Sequence, residues 1–119
     1  MKKFYCYSKC STCKKAQKWL DQNNVQYEMQ DLVDDPPKVE ELEKWISSSD
    51  KKLRYFFNTS GQHYRQLGLK DKVDSMSVSE AAKLLSSDGK LIKRPLMVEN
   101  KVITCGFKED IYEQVWTTR

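Results

Sequence analysis

Hydrophobic and polar positions change period several times along this chain, and each change marks an element. Lys2–Tyr7 contains a short apolar run, Phe4-Tyr5-Cys6-Tyr7, and reads as a first strand. From Ser11 to about Asn23 the residues Cys13, Ala16 and Leu20 recur at i, i+3 and i+7. That spacing is one stripe of a helix, and Asn23-Asn24 supply its stop. Val25, Tyr27 and Met29 alternate with polar neighbours, which predicts a second strand over Val25–Leu32. Strand, helix, strand is a βαβ unit, so the two strands should lie parallel.

The pattern then turns helical. Asp34-Asp35-Pro36-Pro37 predicts a turn and a helix start, with Asp35 as N-cap and Pro36 at the first helical position. Val39, Leu42, Trp45 and Ile46 form the apolar face of that helix, which ends near Ser47. Ser47–Lys52 is polar and loop-like, and periodicity does not assign the apolar patch Leu53–Phe57. Asn58–Gly61 reads as a turn, and Tyr64 and Leu67 suggest a short helix that Gly68 ends. Ser77-Val78-Ser79-Glu80 has the form of a capping box, and Val78, Ala81, Ala82 and Leu85 are the buried face behind it. Asp88-Gly89 stops that helix. Leu96–Val98 and Val102–Thr104 flank Glu99-Asn100-Lys101 as a hairpin, and Phe107, Ile111 and Val115 close the chain as an amphipathic helix. The predicted layout is α/β: a βαβ–ββα sheet core, thioredoxin-like or glutaredoxin-like, with an inserted helical region. One domain covers 1–119, with 1–35 and 89–119 as its core and 36–88 as the insert.

Composition narrows the class. A chain of 119 residues suits one core, and 39% hydrophobic with 32% charged content is that of a globular protein. No apolar run reaches membrane-spanning length, and no signal-peptide cleavage site follows Met1-Lys2-Lys3. The expected location is cytoplasmic, where four cysteines are reduced or redox-active rather than stapled. The net charge of +4 is spread along the chain, with no dense Lys/Arg tract, so neither direct nucleic-acid binding nor membrane binding is expected. Lys14, Lys15 and Lys18 make a basic helix face. A solvated surface accounts for it, and attraction of an anionic substrate or acidic partner stays open.

The chemistry concentrates at Cys10-Ser11-Thr12-Cys13, where the first strand turns into the first helix. The thiolate is the reactive form of cysteine, and a helix N-terminus stabilises it through free N–H groups and the dipole. Ser11 or Thr12 can help cap that end, and Lys9 and Lys14 add positive charge, so Cys10 is expected to be the attacking thiol. Cys13 shares the apolar stripe and is expected to be the sheltered resolver. Two cysteines at i, i+3 can reach the Cα separation of a disulfide, roughly 5–6 Å. A zinc site would need two further ligands at suitable spacing, and the chain has no second C-x-x-C and no H-x-x-x-H. Cys6 and Cys105 read as small buried or half-buried residues rather than catalytic ones.

Lys93-Arg94-Pro95 precedes the third strand. In a thioredoxin-like arrangement this point comes opposite the C-x-x-C, and a cis Pro95 would be a tight feature there. Arg94 is then either a surface arginine or a forked donor for the thiolate or a bound oxyanion, and the arrangement favours the second. Asn58 sits in a polar turn that could line the same mouth, although a plain turn accounts for it. His63 is the only histidine, so a hydrolase triad or a His-based metal site is unsupported, and no motif calls for a metal or cofactor.

Nearly the whole chain resembles the arsenate reductase/Spx family of thioredoxin-fold proteins. The resemblance is carried by Tyr7-Ser8-Lys9-Cys10-Ser11-Thr12-Cys13-Lys14-Lys15-Ala16, by Phe57–Gly61, by Leu67-Gly68-Leu69, and by Lys93-Arg94-Pro95-Leu96-Met97-Val98. It implies a thiol-disulfide oxidoreductase re-reduced by thioredoxin or by glutaredoxin with glutathione. Glutaredoxin-linked arsenate reductases use one nucleophilic cysteine and three arginines. Cys10 and Arg94 match two of these positions, while Asn58 and Gly106 stand at the other two arginine positions. Spx-like regulators carry a C-x-x-C redox switch, match Arg94, and bind the C-terminal domain of the RNA polymerase α subunit. The alternative implied is therefore a redox-sensing transcriptional regulator. Here Asn58–Gly61 departs from the regulator pattern, and Ser47–Lys52 lacks the glycine of the polymerase-contacting surface.

Overall fold

The computed structural model describes residues 2–117. The first apolar run becomes β1 (Lys3–Cys6), and the stripe behind it becomes α1 (Ser11–Gln22). β2 (Glu28–Asp31) lies parallel to β1, with Phe4 opposite Met29 and Cys6 opposite Asp31. Helices α2 (Val39–Ser48), α3 (Gln62–Gln66) and α4 (Val78–Ser87) follow, joined through short 3-10 turns. β3 (Leu96–Glu99) and β4 (Val102–Cys105) make the hairpin around Asn100-Lys101. α5 (Glu109–Tyr112) then runs into a π-helical turn over Glu113–Thr117. β3 pairs antiparallel with both β1 and β4, so the sheet order is β2-β1-β3-β4. This is the expected thioredoxin-like α/β arrangement, with α2, α3 and α4 between β2 and β3.

Strand alternation gives the sheet two different faces. Phe4, Cys6 and Met97 face α1 and α5, where they pack with Cys13, Ala16, Leu20, Tyr112 and Trp116. Tyr5, Leu96 and Val98 point the other way, into a larger core with Leu42, Trp45, Phe56, Ala81 and Leu85. Each large side chain buried in this way contributes about 1.5–3 kcal/mol. The Trp116 indole N–H, at 3.1 Å, donates to Thr104 Oγ1 on β4, so these two buried polar groups satisfy each other.

Several elements depart from the sequence pattern. β2 is shorter than Val25–Leu32, because the Val25 N–H bonds the Leu20 carbonyl at 3.0 Å and so belongs to the end of α1. Met29 is 52% exposed rather than buried, since β2 is an edge strand. α2 starts after Lys38, not at Pro36. Proline disfavours helical backbone in the residue before it, so two successive prolines push the start onward. Glu41 then accepts the Lys38 N–H at 3.1 Å. Leu67 is exposed beyond α3. The last helix buries Tyr112 and Trp116, while Ile111 lies at the surface. Of the predicted face, Phe107 and Val115 pack against the same core and Ile111 alone does not.

The capping box forms as predicted, with Glu80 N–H donating to Ser77 Oγ at 3.1 Å and the Ser77 N–H to the Glu80 carboxylate at 3.0 Å. Gly89, behind α4, is a close-approach position. A Cβ there would stand 1.8 Å from the Leu32 carbonyl oxygen, so only glycine fits between the insert and the end of β2.

Candidate active site

The site grows out of the turn between β1 and α1. Cys10 is the N-cap of α1 in extended conformation (φ −98°, ψ 116°), and its N–H bonds the Tyr7 carbonyl at 2.9 Å. Its own carbonyl accepts the Lys14 N–H, so the N–H groups of Ser11, Thr12 and Cys13 are left to the mouth of the helix. No side chain caps this end, in contrast to the expected role of Ser11 or Thr12. The reason is positional: both residues lie inside the first turn, and the cap position belongs to the cysteine itself. Cys10 is half-buried and Cys13 is wholly buried, as expected for an attacker and a resolver. Lys9 lies in the exposed turn before Cys10.

Burial pushes the Cys13 thiol far above its ordinary range, and the Tyr7 backbone opposes this only in part. Cys13 packs in one cluster with Cys6, with Cys10 at its edge, and both neighbouring thiols act on it. Cys6 is also held up by burial, and its Sγ donates to the Tyr7 carbonyl at 3.6 Å. All four cysteines are free thiols. Cys105 stands apart, fully enclosed, with its N–H donating to the Tyr55 hydroxyl at 3.0 Å.

Arg94 and Pro95 enter from the segment before β3. Pro95 is buried, the Arg94–Pro95 peptide is cis, and the Pro95 carbonyl accepts the Gly106 N–H at 2.9 Å. The Arg94 guanidinium lies over the Tyr7 ring, 5.1 Å from its centroid, so it reaches the same β1–α1 turn that carries Cys10. Its Nη1 is buried without a hydrogen-bond partner, a donor held ready for an acceptor. Lys90 lies over the same ring at 5.9 Å. Gly106 has φ +81°, and its missing side chain leaves room for Lys93, whose Cε would be 3.0 Å from an added Cβ. Asn58 is tied to the approach to β3, its N–H bonding the Leu91 carbonyl at 2.7 Å. It forms the predicted turn with Gly61, and its side chain takes the Ser60 hydroxyl.

The structure thus sets Cys10 and Cys13 at the first turn of α1 and places Arg94 against Tyr7 in the turn before them, while Pro95 is held through Gly106. Sequence reasoning missed Tyr7 and Lys90, and it gave Cys6 no contact with the pair. Strand alternation carried the signal for Cys6, because Phe4 and Cys6 share the face that α1 covers. His63 pairs with Asp88 at 2.6 Å and ties α3 to the end of α4. Among the described residues no group of three or more His, Cys, Asp or Glu is placed to hold a metal ion. No helix among them is long and apolar enough to cross a membrane.

Known proteins share this arrangement. The uncharacterized protein YusI of Bacillus subtilis is 47% identical over 113 residues, covering 95% of this chain and 96% of YusI. The global transcriptional regulator Spx of Streptococcus mutans is 31% identical over 101 residues, covering 85% of this chain and 72% of Spx. A crystal structure described as a possible arsenate reductase from Streptococcus mutans superposes with a TM-score of 0.88 at 47% identity, covering 93% of this chain and 97% of that one. Residues 5–115 match the sequence pattern of the ArsC family, and the chain belongs to that family.

Proposed function

We propose that this protein is a small cytoplasmic thiol-disulfide oxidoreductase of the arsenate reductase-like kind. The observation that carries this is the half-exposed Cys10 at the N-cap of α1, against the buried Cys13. In the first step the Cys10 thiolate attacks one sulfur of an oxidised substrate. A mixed disulfide forms and the other sulfur leaves as a thiolate. Cys13 then gives up its proton and attacks Cys10 Sγ, which expels the bound sulfur and leaves a Cys10–Cys13 disulfide. Thioredoxin, or glutaredoxin with glutathione, supplies the two electrons that restore both thiols. The N–H groups of Ser11 and Thr12 and the free Nη1 of Arg94 stabilise the negative charge that develops. Asn58 and Gly106, at the positions of two family arginines, weigh against arsenate as the preferred oxidant.

The test is NADPH-coupled turnover with thioredoxin and glutaredoxin systems, offering arsenate and a small disulfide to wild type, Cys10→Ser and Cys13→Ser. Turnover is expected in wild type and is lost with Cys10. No turnover above background, in protein that still forms the Cys10–Cys13 disulfide, sinks the enzyme and leaves the second reading. That reading is an Spx-like redox-sensing regulator acting through the RNA polymerase α subunit, and the 31% identity to the regulator Spx favours it. Redox-dependent binding to that subunit's C-terminal domain is its measurement.

A further inference from the structure

β1 places a third thiol against the buried member of the pair. Phe4 and Cys6 face α1, and Cys6 and Cys13 are buried in the same cluster, with Cys10 packed at its edge. Cys13 therefore shares one packed cluster with two other sulfurs, and both Cys6 and Cys10 perturb its thiol. Cys6 also has its own opening. It lines a cavity of about 310 Å³ with Ser8, Lys14, Gln17, Met29 and Asp31, between the end of β1, the side of α1 and the edge strand β2. Cys10 is not among the residues of that cavity. The volume is at the lower end of the range for small-ligand pockets, and Lys14 offers positive charge for an anionic thiol.

We propose that Cys6 is a third redox residue, which takes Cys13 over from Cys10 by disulfide exchange. The Cys6 thiolate attacks Cys13 Sγ. The Cys6–Cys13 bond forms, the Cys10–Cys13 bond breaks, and the electron pair leaves on Cys10 Sγ. The proton lost by Cys6 passes to the freed Cys10 or to water. Nothing is oxidised or reduced overall, so the exchange needs no outside reagent. Its consequence is a second route for electrons. Cys10 is available again while the disulfide is still present, and a small anionic thiol in the cavity can reduce the Cys6–Cys13 bond by attacking Cys6. The exchange presupposes the Cys10–Cys13 couple proposed above. A direct Cys6–Cys13 disulfide does not.

The test treats the full chain with glutathione disulfide, blocks free thiols by alkylation at acid pH, and maps disulfides by peptide mass spectrometry. Cys10→Ser is expected to lose two free thiols and to yield the Cys6–Cys13 peptide pair. The double variant Cys6→Ser/Cys10→Ser is expected to yield no internal disulfide. Oxidised wild type is expected to contain both pairings. Folding is checked by circular dichroism, and Cys10→Ala serves if the serine variant does not fold. A folded Cys10→Ser or Cys10→Ala whose Cys6 and Cys13 both remain alkylatable overturns the inference, while a Cys10–Cys13 bond in the same wild-type sample keeps the proposed function. A wild type that forms only Cys6–Cys13 overturns the proposed couple and its exchange step.

Discussion

The two faces of the sheet are built from different side chains. The face covered by α2 and α4 buries large groups, among them Trp45, Phe56, Leu85 and Leu42. Under α1 the contact is made by Cys6, Cys13 and Ala16, with the large rings set towards α5. Packed with Phe4 and Leu20, these small side chains gather Cys6 and Cys13 in one cluster, with Cys10 at its edge. The larger core gathers most of the bulky buried side chains, whereas the α1 face holds Cys6 and Cys13 with Cys10 at its edge.

The largest effect expected belongs to the α1 face. Cys10→Ser should lower turnover on the order of a thousandfold or more, since Cys6 and Cys13 are both buried and neither presents a thiol at the surface in its place. Cys13→Ser should leave the first attack intact and accumulate the mixed disulfide, which an intact-mass measurement sees directly. On the insert face, Leu85→Ala should destabilise by about 2–5 kcal/mol in a denaturant titration. Leu85 is fully buried in the insert core. Its turnover at low temperature should stay close to wild type. A folded Leu85→Ala protein without activity would break the division between the faces.

Two smaller effects sharpen it. Arg94→Ala removes the charged donor held over Tyr7 and should lower kcat/KM by roughly 10- to 100-fold, as expected for a hydrogen bond from a charged group. Stability should fall by about 1 kcal/mol, the scale of the lost stacking on Tyr7. Ser77→Ala removes the cap of α4 and should cost about 1 kcal/mol with no loss of turnover. The Ser77 N–H holds the Glu80 carboxyl below its ordinary value, so the folded state favours the ionised form. That contribution is present above the unfolded carboxylate range, about pH 4.3, and fades as pH falls below it. Wild type and Glu80→Gln should therefore converge in Tm under acid conditions.

Local chemistry made much of this protein legible. The i, i+3, i+7 stripe of Cys13, Ala16 and Leu20 located α1 and its buried side. The Ser77–Glu80 box located the start of α4, and the turn at Asn100 located the hairpin. The C-x-x-C was expected at a strand-to-helix turn, and Cys10 and Cys13 do lie where β1 passes into α1. Helix and strand periods are local properties of the backbone, so they survive in a one-dimensional pattern. What the pattern left undecided was longer in range. Whether Met29 is covered depends on β2 being an edge strand. Which rings of α5 point inward depends on Thr104, which accepts the Trp116 N–H across the chain. The meeting of Arg94 with Tyr7, and of Cys6 with Cys13, depends on strand order and on how closely α1 settles on β1. Such contacts join residues distant in the chain through packing, and only the folded structure brings them together.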